Sequence, residues 1–168
     1  MSDDLERRLA LLEDERGVLR NLHTYGQSID YGREADWVEC FTEDGVFDVR
    51  NRGETAPSVK VAGRDELTRF IARHTRPPEL WHKHMLVEPL IDVDGDTARC
   101  SSYFFVLMEH EDRPIVRVFG RYLDRLERGA DGRWRFSERI ADVESRWASL
   151  PPFIDGRPGL TARSEAGP

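Results

Sequence analysis

The sequence predicts an α+β fold in which helices gather on one face of an antiparallel sheet. Two observations carry this. Apolar residues recur at helical spacing through the first half of the chain. After Pro78 the character changes to four strand-like runs, 81–93, 97–110, 114–128 and 133–147, separated by turn signals.

Residues 5–31 read as a long helix, because Val18, Leu19, Leu22, Tyr25, Gly26 and Ile29 fall on one face. After the break at "DYGREAD", the stretch "EADWVECF" reads as a second helix with Trp37, Val38 and Phe41 as its apolar stripe. "EDGVFDVRN" is a turn leading into a short strand, and 50–63 a loop with a small strand. "GRDELTRFIARHTRP" is a third helix, with Asp65 in its first turn and Pro77 just past its end. "DVDGDTA", "EHEDRP" and "ERGADGRW" then connect the strands of a meander.

At 168 residues the chain suits one domain with a real core. A charged fraction of 34% and a net charge of -7, without a basic run, argue against nucleic acid or an anionic membrane as partner. No stretch approaches a membrane span, and the acidic start lacks a signal pattern, so a cytoplasmic protein is expected. Cys40 and Cys100 have no metal spacing and are expected to be buried and unbridged. No dinucleotide fingerprint, phosphate loop or nucleophile elbow is present, so chemistry here is expected to be acid–base and cofactor-free. The Pro/Gly-rich segment 149–168 is set apart from a 1–148 domain, as a disordered tail or a flap over a pocket.

Several stretches, in order, resemble the SnoaL-like branch of the nuclear transport factor 2-like superfamily. They are "YGQSIDYGREADWVECFTEDGVFDV", "VAGRDEL", "VDGDTA", "GRYLDRL" and "DGRWRFSERI". The resemblance runs from about residue 8 to 147. It implies a cone-shaped curved antiparallel sheet packed on three N-terminal helices. It is less specific for function, since the branch includes ketosteroid-isomerase-like enzymes, dehydratases, dehydrochlorinases, polyketide cyclases, epoxide hydrolases and non-catalytic dioxygenase β-subunits.

On the first helix, Tyr25 lies about 60° to one side of Leu22 and Asp30 about 80° to the other. An apolar face thus carries a phenol and a carboxylate at its edges. Alone, these read as a core tyrosine and a solvated helix end, although a carboxylate at a helix C-terminus opposes the macrodipole. The resemblance implies more: Asp30 holds His84, which removes a proton from substrate carbon, while Tyr25 and Arg139 assist the leaving group or enolate. A carboxylate on one ring nitrogen fixes the tautomer and stabilises the imidazolium.

Two departures stand out. Where the family often has Asn, four residues after the histidine, this chain has Glu88 followed by Pro89, and a strand proline implies an edge or bulge. Arg139 falls on the opposite strand phase from Trp134 and Phe136, so it reaches the pocket only through a bulge or if those two face the other way.

His82 shares a strand face with His84, and a His-x-His pair is half of a zinc or iron site. No second cluster stands at fixed spacing and relatives work without metal, so no metal is expected and His82 is placed at the pocket wall. His74 is placed at a helix end and His110 at a strand end, with His110 near a dehydratase relative's second histidine. Trp37, Phe41, Phe70, Trp81, Phe104, Val106, Met108, Val118 and Tyr122 are the expected apolar wall, for a small hydrophobic ring substrate. For most of these, plain core is the competing reading. Family habit implies a homodimer or homotrimer. The leading expectation is a cofactor-independent lyase or isomerase of dehydratase type, with polyketide cyclase and non-catalytic β-subunit or ligand-binding module as rivals.

Overall fold

In a computed structural model, residues 2–145 are described; the predictions for 146–168, the tail included, lie outside them. A 29-residue helix α1 (Ser2–Asp30) is followed by α2 (Glu34–Val38), β1 (Phe41–Asn51), β2 (Val59–Ala62) and α3 (Arg64–Ile71). The long strands β3 (His82–Asp94), β4 (Thr97–His110), β5 (Arg113–Arg128) and β6 (Trp134–Val143) complete the fold. They form one sheet in the order β2-β1-β6-β5-β4-β3, curved and unclosed.

The α+β class and the helix-bearing sheet stand as expected, and the meander β3 to β6 is antiparallel. One pair departs: β1 runs parallel to β6, with Phe41 opposite Phe136 and Phe47 opposite Arg139. The expected short first strand is 11 residues long, and it begins where the second helix was expected to continue. Phe41 is held by the sheet rather than by α2. The third helix ends at Ile71, well short of Pro77, because Leu67 and Ile71 are its last buried anchors before the polar turn that follows. Gly32, at φ 65, ends the path of α1 in a conformation that glycine takes freely.

The face expected for α1 is the buried one: Val18, Leu22, Tyr25 and Ile29 sit in the core. The helix lies against β3 and β6. Around Tyr25, Trp37, Phe41, Phe47 and Phe136 form an aromatic cluster with ring centres 4.9–6.4 Å apart. Burying each such ring contributes about 2–3 kcal/mol by area, before edge-to-face terms. Cys40 and Cys100 are buried and unbridged, and burial pushes both thiols up to about 12.

Three bulges in the β3 to β6 meander curve the sheet and reset which side chains face inward. Glu88 and Pro89 together oppose Ser102, with Glu88 at φ 51, so the inward phase of β3 passes from His82, His84 and Leu86 to Ile91 and Val93. Arg117 is an extra residue in β5; it turns inward and leaves Val116 exposed, against the strict alternation that would put Val116 on the face of Val118 and Tyr122. Ser137 is an extra residue in β6. Trp134 and Phe136 face inward before it, and Arg139, Ala141 and Val143 after it. No helix among the described residues is long and apolar enough to cross a membrane.

Candidate active site

Asp30 is the last residue of α1 and is buried. Its carboxylate reaches across to β3. The His84 backbone N–H donates to both its oxygens, at 3.0 and 3.1 Å, and His84 Nδ1–H donates to Oδ1 at 2.7 Å. The ring bond fixes the tautomer: with the proton on Nδ1, the lone pair sits on Nε2. Close approach of α1 to β3 depends on Gly26, where an added Cβ would lie 3.2 Å from the His84 carbonyl oxygen.

His84 and Asp30 open onto a cavity of about 210 Å³ whose wall also includes Leu22, Tyr25, Leu86, Tyr122 and Arg139. The Ser137 bulge is what delivers Arg139 there. Its guanidinium is fully buried and faces Asp124, with Nε 3.1 Å from Oδ1 and Nη2 donating to Oδ2 at 3.2 Å. It lies over the rings of Tyr122, Tyr25 and Phe136 at 3.8, 4.1 and 4.3 Å, a cation held among π-faces. Arg139 Nη1 has no hydrogen-bond partner among the described residues.

Burial shifts the titrating groups. Asp124 is raised to about 6 by desolvation, with Arg139 opposing. Desolvation also raises Tyr25 well above its ordinary value, helped by Tyr122 and opposed by Arg139, so its phenol stays protonated and can donate. Tyr122 is raised for the same first reason. The wall therefore combines one base nitrogen, two protonated phenols and one cation compensated by a carboxylate.

A family model described as the SnoaL-like domain matches residues 10–140. The chain belongs to the SnoaL-like family. Among solved structures, it is similar to a Catenulispora acidiphila protein in complex with S-DNPA, 27% identical over 80% of this chain and 94% of that one, TM-score 0.62. It is also similar to ActVI-ORFA from Streptomyces coelicolor, 25% identical over 75% and 93%, TM-score 0.63. An NTF2-like protein with a cystatin-like fold from Novosphingobium aromaticivorans, 22% identical over 86% and 90% with TM-score 0.69, shares the fold. No curated protein matches the chain.

Of the residues singled out in this SnoaL-like sequence, Tyr25, Asp30, His84, Arg139 and Tyr122 come together on one cavity. Trp37 and Phe41 are fully buried beneath Tyr25, and Phe70 stacks on Trp37, so these three back the site without lining it. Phe104 stacks on Tyr122 at 4.3 Å, Val106 is core, and Val118 packs against the core. Trp81 is half exposed and, with His82 and Met108, borders a neighbouring cleft of about 380 Å³. His110 closes β4 at the hairpin opposite Arg113 and lines neither space. Glu88 is thrown outward by the bulge.

His82 does not line the cavity of Asp30 and His84 but the neighbouring cleft. It is buried behind His84, with Nε2 3.7 Å from Asp30 Oδ1. His74, expected at a helix end, is also buried, with ring centres 5.2 Å from His82 and 5.8 Å from His84. It lies past the last turn of α3, where no periodicity marks its direction, so only its residue type could have drawn attention.

Proposed function

We propose that this protein is a cofactor-independent acid–base enzyme that abstracts a carbon-bound proton from a small, mostly apolar ring substrate and drives an elimination or isomerisation. The observation that carries the reading is the 2.7 Å bond from His84 Nδ1 to Asp30, on a cavity shared with Arg139. His84 Nε2 takes the proton α to a carbonyl. Asp30 stabilises the imidazolium that forms. Negative charge grows on the substrate oxygen, and the unpartnered Arg139 Nη1 and the Tyr25 hydroxyl, both of residues on the same cavity wall, receive it. In a β-hydroxy ketone, loss of the hydroxyl then gives the enone. Protonation at another carbon instead gives an isomer, and attack on a second carbonyl closes a ring.

The cavity volume suits one ring or a fused bicycle. The test uses a panel of cyclic β-hydroxy ketones. Deuterium exchange at the α-carbon is followed by NMR and enone formation by ultraviolet absorbance. The wild type should exchange and eliminate on at least one member, and His84→Gln should slow both by roughly 10²–10⁴-fold. Undiminished exchange in His84→Gln would remove His84 from the role of base. Absence of exchange across the panel, with a stable complex to a larger protein, would favour the non-catalytic alternative.

A further inference from the structure

Beside the proposed base, the structure buries more imidazole than a proton-abstracting dyad uses. We propose that Asp30, His82 and His84 bind one divalent ion of the zinc type, and that this ion holds the base in its inactive tautomer. One donor atom each from Asp30, His82 and His84 lies within 4.8 Å of the others. Tetrahedral zinc with bonds of 2.0–2.2 Å needs donors roughly 3.3 Å apart. The Asp30–His84 and Asp30–His82 separations, 2.7 and 3.7 Å, straddle that spacing. The His82 and His84 ring centres are 5.3 Å apart, close to the roughly 5 Å expected of imidazoles sharing one tetrahedral ion.

The chemistry of the donors agrees. His74, its Nδ1–H donating to the Thr75 carbonyl at 2.9 Å, packs its ring beside those of His82 and His84 and walls the donors in. His82 is held neutral, first by desolvation and then by the neighbouring His84. Neutral imidazoles ligate without giving up a proton. Two imidazole nitrogens and one carboxylate suit zinc, cobalt or copper and disfavour magnesium and calcium. His82 borders the open 380 Å³ cleft beside Trp81, which provides a path of entry.

The effect on the base follows from atom balance. When the ion bonds His84 Nδ1, the proton there moves to Nε2. His84 stays neutral overall, and Nε2 loses its lone pair. This inhibitory arm rests on the proposed function; the binding arm does not.

The experiment uses chelator-treated, full-length protein titrated with cobalt(II), then with zinc chloride, and with magnesium chloride as a control. One equivalent of cobalt should give visible d–d bands of a low-coordinate nitrogen/oxygen site, displaced by zinc and unmoved by magnesium. His82→Gln should weaken zinc binding by about tenfold or more in calorimetry. Arg139→Lys should bind zinc as the wild type does. Circular dichroism checks the fold of each variant. Should the histidine variant misfold, the wild-type histidine ring resonances decide, since one zinc equivalent should shift those of His82 and His84 together. No stoichiometric cobalt uptake, zinc binding in folded His82→Gln equal to wild type, or ring resonances unmoved by zinc would overturn the site. Where α-proton exchange is measurable, zinc should abolish it and chelator restore it; full exchange in the zinc-saturated protein would overturn the switch alone. Failure of cobalt binding leaves His84 as base, whereas inactive but cobalt-binding protein leaves the metal site.

Discussion

Asp30 holds three hydrogen bonds on one carboxylate, two from the His84 backbone N–H and one from its ring. Oδ1 accepts from both the backbone N–H and the ring, so position and tautomer can be kept while the charge is removed. Asp30→Asn keeps an amide oxygen that accepts at the Oδ1 position but loses the negative charge that stabilises the imidazolium. It should change stability by no more than about 1–2 kcal/mol while cutting α-proton exchange by roughly 10²-fold or more. Equal losses of stability and exchange would make Asp30 a structural residue only. Arg139 and Asp124 are a different case, two charges fully buried and facing each other. Removing one strands the other, so Arg139→Met should cost roughly 3–5 kcal/mol in urea unfolding. Arg139→Met with Asp124→Leu should recover much of that, because no charge is left in the core. A cycle in which the single effects simply add would show that the pair does not act as a unit.

At the scale of the element, bulges decide the site. Helix α1 was legible because its 3.6-residue periodicity survives in residue type from Val18 to Ile29. The turns between strands were legible from "DVDGDTA" and "ERGADGRW". The bulges were legible only where chemistry marks them. Pro89 signals the one in β3, whereas Ser137 and Arg117 are ordinary strand residues, and one inserted residue leaves no trace in composition. That is why Arg139 stood on the wrong phase until the register was seen, and why Val116 and Arg117 exchange faces. The parallel pairing of β1 with β6 was equally invisible, since it joins segments some 90 residues apart in sequence. The dyad itself came from the family pattern, and His74 from neither pattern nor period. One further position tests how tightly β5 and β6 pair. At Gly120 an added Cβ would fall 2.1 Å from the Asp142 carbonyl oxygen and 3.0 Å from Val143 Cα. Backbone cannot swing aside as a side chain can, so Gly120→Ala should cost about 3 kcal/mol or more. Differential scanning calorimetry should show Tm lowered by roughly 6–12 °C; an unchanged Tm would mean that the two strands part without cost.

For the whole molecule, the histidine cluster sets how folding responds to acid. His82 is lowered to about 4, first by desolvation and then by His84, with Asp30 opposing; His74 is lowered well below its ordinary value, again first by desolvation. In the unfolded chain both titrate near 6.5. The sign follows from proton counting. Between pH 6.5 and 4 the unfolded chain takes up protons at these rings while the folded chain leaves His82 neutral to about 4 and holds His74 well below its ordinary value. Falling pH therefore favours unfolding. Stability at these sites is fully present above about 6.5 and is lost as pH drops toward 4, by up to about 1.4 kcal/mol per pH unit for each proton of difference. Asp124 works the other way, since its carboxyl is raised to about 6 and its protonated form is favoured in the folded chain. Its contribution is greatest in acid and fades as pH rises through 6, so it partly offsets the histidines over the same interval. Urea unfolding of chelator-treated protein across pH 4 to 8 should show two histidines against one carboxyl, a net loss of stability toward acid. His82→Gln, which keeps the volume and removes the titration, should make that slope shallower. A slope unaltered by His82→Gln would mean that His82 takes up its proton without unfolding, and that the buried cluster accommodates charge.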